Sequence, residues 1–421
     1  MRVLFVSYPE KTIFQYFAPM AWALRTAGHD VRVATQPKFA DVVTQAGLTA
    51  VPVGGDRDIW RLAEHRTRER DATRAGLPAP FDVVDEPDLI TWEHLSAGYA
   101  RQVDWWFRMK SVPLVTELVD YARYWRPDLV VWEPTTFAGP IAAKAVGAAH
   151  ARMLYSVDVF GVTRDHFLRL GRDRTDRADP LADWLGGYAD KYGFGFAEDM
   201  VTGHFTIDQI PGPLRTPADL HYVPVRYVPY GGPAVVPKWL WQSDGRPRVA
   251  LTLGLSATER FDGYTVGVGD ILDALADLDV EVVATIADRV RDRLGATPGN
   301  ARIVPYVPLH ALVPTCAAVI HHAGAATLAT TSLHAVPQLA LPFHFDQPAL
   351  GRALAAQGAG IAIHSTEATG EHVRDAVLRL LREPGFRDAA VRLRDDVLAT
   401  PSPTEAVGGI EGLVDRYRDA R

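Results

Sequence analysis

A chain of 421 residues exceeds what one compact core usually organises, so two domains are expected. Its 48% hydrophobic and 10% aromatic content, with ten Trp, excludes a disordered chain and leaves rings for a ligand pocket. A net charge of −7 without a Lys/Arg stripe argues against nucleic acid, and the single Cys316 against a disulfide or multi-cysteine metal site.

Apolar β-branched runs alternate with helix-period segments. VLFVS (3–7), VRVAT (31–35), LTAVPV (48–53), DLVVWE (128–133) and ARMLYS (151–156) are continuous rather than alternating, the pattern of parallel strands buried on both faces. Between the first two, Phe17, Met20, Ala21 and Leu24 recur at helical spacing, and Gly28 stops the helix. The stretch 56–110 breaks the alternation. Arg61, Arg66, Arg68, Arg70 and Arg74 mix there with Glu64, Glu69 and Asp71, then aromatic residues follow. It reads as a salt-bridged solvated helix and a helix facing the core, or as an insertion that builds an acceptor pocket from Trp92, Trp105, Trp106 and Phe107. The second half repeats the strand pattern at 249–254, 280–286, 301–306, 317–322 and 337–342. Two doubly wound α/β domains are therefore expected, 1–220 and 248–400, joined by a Pro/Gly-dense linker at 221–247. Residues 401–421 are expected to form a helix that packs back on the first domain. No run of about 18 apolar residues and no signal-peptide pattern occurs, so a cytoplasmic protein without a membrane span is expected.

The richest chemistry lies in AVIHHAGAATLATTSLHAVPQLALPFHFDQPALG (318–351). A strand ends at His321 and His322, the small turn Ala323-Gly324-Ala325-Ala326 follows, and Thr327 opens a helix. Small side chains let backbone N–H groups approach an anion, and a helix N-terminus adds about half a positive charge. His322 and Thr327 supply further donors. Asp346 and Gln347 follow a second strand end, and a carboxylate beside an amide suits vicinal sugar hydroxyls.

HHAGAAT resembles the HHGGAGT-type pyrophosphate signature of nucleotide-sugar glycosyltransferases with two facing Rossmann-like domains, the GT-B architecture, and FDQ resembles their donor-sugar motif. PMAWALRTAGHDVRVAT, RPDLVVWEPTTFAGPIAA, DKYGFGFAEDMVTGHFTIDQIP, VRYVPYGGPAVVPKWL, RVALTLG and YVPLHALVPTCAAVIHH look like the deoxysugar transferases of macrolide and aromatic-polyketide antibiotic pathways, the erythromycin desosaminyltransferase group. The resemblance implies a metal-independent, inverting transfer from a dTDP-deoxyhexose to a polyketide aglycone, with no cofactor. It also implies, for some members, a cytochrome-P450-like helper on the N-terminal domain; a homodimer is equally compatible. Carried over by position, Thr252, Gly254 and Ser256 meet the pyrophosphate, and Tyr306 and Val307 flank the base. His322, Gly324, Ala325, Ala326 and Thr327 hold the phosphates, while Asp346 and Gln347 face the sugar. Ala323 and Ala326 stand where the pattern prefers glycine. Asp56-Arg57-Asp58 is a DxD triplet that ends no clear strand, so a metal is not expected there.

The first turn departs further. Family members that glycosylate hydroxyls usually carry a histidine at the position that Ile13 matches, and Ile13 takes no proton. General-base catalysis is worth roughly 10²–10⁴ in rate, about 3–5 kcal/mol, which an alcohol acceptor needs. A phenol, with a pKa near 10, ionises more readily, and its ring carbons then become nucleophilic. C-glycoside formation on an aromatic polyketide is therefore favoured, with Ile13 and Phe14 walling a flat acceptor. Two strand-end carboxylates are the candidate bases. Resemblance to C-glycosylating relatives points first to Asp158, with Glu133 in support. The alternatives are an O-glycosyltransferase acting on a macrolide or phenolic hydroxyl, and a non-catalytic nucleotide-binding paralogue. An NAD-dependent oxidoreductase is argued against by SYPEKTIF, which has no glycine in the first turn.

Overall fold

The computed structural model describes residues 1–56, 76–175, 178–242, 245–254, 264–291 and 294–419. The continuous apolar runs become the centres of two parallel sheets. The first contains β1 (Arg2–Val6), β2 (Asp30–Thr35), β3 (Thr49–Pro52), β4 (Leu129–Trp132), β5 (Ala149–Met153), β6 (Phe205–Asp208) and β7 (Tyr222–Pro224), in the order 3-2-1-4-5-6-7. The second contains β8 (Arg248–Thr252), β9 (Glu281–Thr285), β10 (Ala301–Val304), β11 (Ala318–His321), β12 (Gln338–Ala340) and β13 (Gly360–Ala362), in the order 10-9-8-11-12-13. Every residue of β4, β5, β8 and β11 is buried. Helices covering both faces demand this, and it explains why β4, β8 and β11 lack polar alternation; in β5 the alternating His150 and Arg152 are buried as well.

In each sheet the winding reverses at the centre, between β1 and β4 and between β8 and β11. Loops leaving these strands in opposite directions open a crevice at the carboxyl ends, where ligands bind in such sheets. The crevice of the first sheet receives the turn Ser7–Glu10 and that of the second receives Leu253-Gly254 and His322–Gly324.

The expected linker starts inside the first sheet, because Tyr222–Pro224 pairs with Thr206–Asp208 as an edge strand. β6, β7 and β13 are short and were not among the expected strands. The helix Pro403–Asp419 crosses back to the first domain, where Ala406, Val407, Ile410, Leu413 and Val414 join the cluster built by Phe17, Met20 and Leu24. Polar contacts reinforce the crossing: Arg226 donates its backbone N–H to Pro401 O (2.7 Å), and the Tyr417 hydroxyl donates to His204 O (3.0 Å). Among the described residues, no helix is long and apolar enough to cross a membrane.

Ile410 is fully buried in this junction. Ile410→Ala is expected to cost about 2–5 kcal/mol, read as a lower denaturant midpoint, because it removes apolar contact and leaves a cavity between the domains.

Candidate active site

A cavity of 780 Å³ lies between the carboxyl ends of the two sheets and is lined from both. Its second-domain wall is made by the ends of β8 and β11. β11 leads into His322, then Ala323 turns the chain with a positive φ of 62°, and the helix Ala325–Ser332 begins behind Gly324. His321 holds the turn from behind. Its Nδ1 accepts from Ala323 N (2.9 Å), so Nε2 carries the proton and donates to Gln338 Oε1 (2.8 Å). Burial pushes this imidazole down to about 3, and it stays neutral.

His322 is wedged between two backbones. A Cβ on Gly254 would lie 2.5 Å from its Cε1, and a Cβ on Gly324 2.3 Å from its Nε2. Gly254 also has a φ of 74°, a left-handed conformation that favours glycine. Both glycines are therefore needed to let the ring lie flat at the cavity wall. Burial pushes His322 down to about 4, against a smaller opposing pull from the Thr252 backbone. A neutral imidazole, the hydroxyl of Thr327 and the first N–H groups of a helix all converge on one side of the cavity. Their chemistry suits a diphosphate.

Thr252, Gly254, Tyr306, Val307, His322, Gly324, Ala325, Ala326, Thr327, Asp346 and Gln347 all line this one cavity. Ser256 lies outside the described residues, as do Arg57, Asp58 and the Arg-rich stretch from 61 to 74. Gln347 Oε1 accepts from the backbone N–H groups of Phe343 and His344 (both 3.1 Å), which closes the loop and leaves the amide nitrogen as its donor. Tyr306 donates its hydroxyl to Gly231 O (3.2 Å), so the loop after β10 is tied to the interdomain segment. That segment also lines the cavity, through Tyr227, Pro229, Tyr230 and Gly231.

The first-domain wall corrects several expectations. Ile13 and Trp105 line the cavity, together with Trp106. Phe14 does not; it is buried, edge-on to Phe39, on the inner face of the helix Lys11–Thr26. Trp92 stacks on Phe167 at 4.7 Å, with Arg174 over its ring, and Phe107 packs against Phe137. Phe14 and Phe107 are thus core rings, and Trp92 packs half-buried against the core; none of the three lines the pocket.

The two candidate bases also fail to reach the cavity. Asp158 is 2% exposed and caps the helix Val159–Gly171 by accepting from Gly161 N (2.9 Å). It is ion-paired with buried Arg152 and accepts from the Tyr222 hydroxyl (2.7 Å). A carboxylate so committed ties β5 to β7 and is not placed to take a proton from an acceptor. Glu133 is fully buried and accepts from Thr135 N (2.8 Å), from Thr135 Oγ1 (2.6 Å) and from Thr136 Oγ1. Among the described residues, the carboxylates that do line the cavity are Glu10, Asp104 and Asp346. Glu10 was legible as the one acid in the first turn, YPEKTIF, and Lys110 was the one lysine in the aromatic stretch, yet neither spacing pointed to the cleft.

Among the described residues, His150, Asp199 and His204 have metal-ligand spacing. His204 Nδ1 accepts from His150 N (3.2 Å), so its Nε2 carries a proton toward Asp199, and Lys144 already pairs with Asp199 at 3.0 Å. The group is a hydrogen-bonded cluster under Tyr417, which stacks on His204, and it does not line the cavity.

Two facing Rossmann-like domains with such a cavity define a GT-B glycosyltransferase. Residues 22–254 match the N-terminal domain, and residues 269–413 the C-terminal domain, of the erythromycin biosynthesis protein CIII-like family, and the chain belongs to that family. It is 46% identical to 10-deoxymethynolide desosaminyltransferase of Streptomyces venezuelae, over 99% of this chain and 98% of the relative. It is 39% identical to aclacinomycin-T 2-deoxy-L-fucose transferase of Streptomyces galilaeus, over 100% of this chain and 98% of the relative. The crystal structure of glycosyltransferase VinC in complex with dTDP superposes with a TM-score of 0.89 at 38% identity, covering 99% of this chain and 100% of that one. The chain is thus a glycosyltransferase whose relatives transfer deoxysugars in antibiotic biosynthesis.

His322→Ala is expected to weaken dTDP binding roughly 10- to 100-fold by calorimetry, the loss of one hydrogen bond to a charged group. Gly324→Ala is expected to do the same with the histidine intact, by displacing its ring. Asp158→Ala is expected to lower stability by about 3–5 kcal/mol, because Arg152 is left buried and uncompensated. In a thermal melt its midpoint falls, while dTDP affinity below that midpoint is unchanged.

Proposed function

We propose that the enzyme transfers a deoxyhexosyl group from a dTDP-sugar to an aromatic polyketide, with inversion, and forms a C-glycosidic bond. The observation that carries this reading is the acceptor end of the cavity. Ile13 occupies the first-turn position, and Phe81, Trp105, Trp106, Tyr155 and Phe160 surround it. A cavity end lined with these rings fits a fused-ring phenol, and an aliphatic residue in the turn offers no base to an alcohol.

The acceptor phenol loses its proton to water, and the carbon beside the oxygen gains electron density. Its electron pair attacks C1 of the sugar from the face opposite the diphosphate. The C1–oxygen bond breaks, and its pair leaves on dTDP. The ring carbon then sheds its proton, and aromaticity returns. Glu10 is the carboxylate at the start of the Ile13 helix and takes that proton; Thr12 Oγ1 orients it by donating at 3.3 Å. The departing diphosphate needs fixed donors rather than a bound metal, and Thr327, His322 and the helix N-terminus provide them. Comparable fixed donors contribute about 2.7–4 kcal/mol each to a transition state. Positioning by the two domains supplies a further share of the rate.

Acid hydrolysis of the product decides the linkage. The expected outcome is a conjugate that survives conditions that cleave an O-glycoside, and release of free sugar would make the enzyme an O-glycosyltransferase. Glu10→Gln is expected to lower kcat by roughly 10²–10⁴ with little change in KM. Ile13→His is expected to add O-linked product with the same acceptor.

A further inference from the structure

One lysine at the acceptor end is built in more firmly than packing requires. Lys110 is 3% exposed, yet it lines the cavity. Its Nζ lies 4.6 Å from the centroid of the Trp106 ring and 5.3 Å from that of Tyr8. It donates to Thr135 Oγ1 at 2.6 Å, and Thr135 spends its single hydroxyl proton on Glu133, also at 2.6 Å. Glu133 Oε1 stands 3.9 Å from the ammonium. The buried carboxylate and the buried ammonium thus share a hydroxyl, and the carboxylate balances a cation held at the cavity wall.

Local backbone supports the same placement. Residues Val103–Phe107 form a π-helical turn between the helices Trp92–Gln102 and Arg108–Trp125. Such a turn widens the helix by one residue and re-aims the side chains C-terminal to it, and it recurs at functional sites. Here Gln102, Asp104, Trp105, Trp106 and Lys110 all reach the cavity from this one segment. A long cationic side chain confined among rings costs side-chain entropy and desolvation, and a purely apolar residue would fill the same space without either.

We propose that Lys110 is an anion anchor for the acceptor: its ammonium binds the oxygen of an ionised phenol, or of an equally acidic enol, and holds the acceptor in its nucleophilic form. This rests on the aromatic-acceptor reading above and names the group that replaces a first-turn base. An opposite charge within about 4–6 Å favours an ionised partner by about 1–3 pH units, enough to raise the reactive fraction of a phenol substantially at neutral pH. Glu133 acts through Lys110 as a positioning residue. Among the described residues, the other ionisable side chains facing this end are Glu10, Arg101, Asp104, Tyr16 and Tyr155.

Alizarin, a hydroxyanthraquinone whose phenolate absorbs in the visible, reports the ionisation of a bound aryl hydroxyl directly. With wild-type enzyme saturated with dTDP, its spectrophotometric midpoint is expected about 1–3 pH units below that of free alizarin. Lys110→Met combined with Glu133→Gln removes cation and counter-charge together, so no buried charge is left alone. In that variant the midpoint is expected to return to the free value or rise above it. Its kcat/KM for a phenolic acceptor is expected to fall roughly 10- to 100-fold, with dTDP affinity unchanged. Lys110→Arg, which keeps the charge, is expected to recover part of the shift. Equal midpoints in wild type and double variant, or no binding of alizarin by the wild type, would overturn the anchor. A Lys110-dependent shift without turnover of any phenol would instead overturn the acceptor class and leave the anion site standing.

Discussion

A single imidazole ring held between two strips of backbone sets the geometry of the donor half. His322 fits only because Gly254 and Gly324 present hydrogens where any other residue would place a methyl against the ring. One glycine follows β8 and the other follows β11, the two strands at which the second sheet reverses its winding. The same turn delivers the N-terminus of the helix Ala325–Ser332 to the cavity wall. The geometry of this wall thus follows from one packing requirement at the switch point, with His321 and Gln338 bracing it from the strand side.

The acceptor half is organised by charges that are buried and spoken for. Asp158, Arg152 and Tyr222 join strands; Arg164 joins Asp179 to Glu198 across helices. Removing such charges from water is expensive, and they persist where each has a partner with good geometry. The Lys110–Thr135–Glu133 group obeys the same rule with one difference: its cation reaches the cavity while its carboxylate does not. Carboxylates near the strand ends of this fold therefore divide into those that hold the walls and those that line the cavity between the sheets.

Closure of the cavity depends on contacts that cross the domains. Tyr16 stacks on Tyr227 at 4.7 Å, Phe160 meets Phe345, and Arg352 pairs with Asp85. The returning C-terminal helix and the interdomain segment share this work. The latter is thus a wall of the site as well as a connection, through Tyr230 and Gly231.

Fold class and the turn that carries the proposed donor site were legible in the sequence because both are written locally. Continuous apolar runs report strands buried on two faces, and HHAGAAT packs strand end, turn and helix start into seven consecutive residues. The edge strands β7 and β13 were not legible: neither is fully buried, so no continuous apolar run marks them, whereas the equally short β12 lies inside its sheet and is buried throughout. The acceptor site was only partly legible. Ile13 could be read from its position in the first turn, but Asp158 and Glu133 differ from Glu10 only in their surroundings. Part of those surroundings is local, Arg152 for one and Thr135 for the other, but Tyr222 and Lys110, which complete them, come from distant parts of the chain. The sequence by itself determined the two sheets and the small-residue turn between β11 and the helix Ala325–Ser332, since neighbouring residues supply the groups. Only the tertiary structure decided which buried charges face the cavity, because burial and pairing are properties of residues brought together by folding.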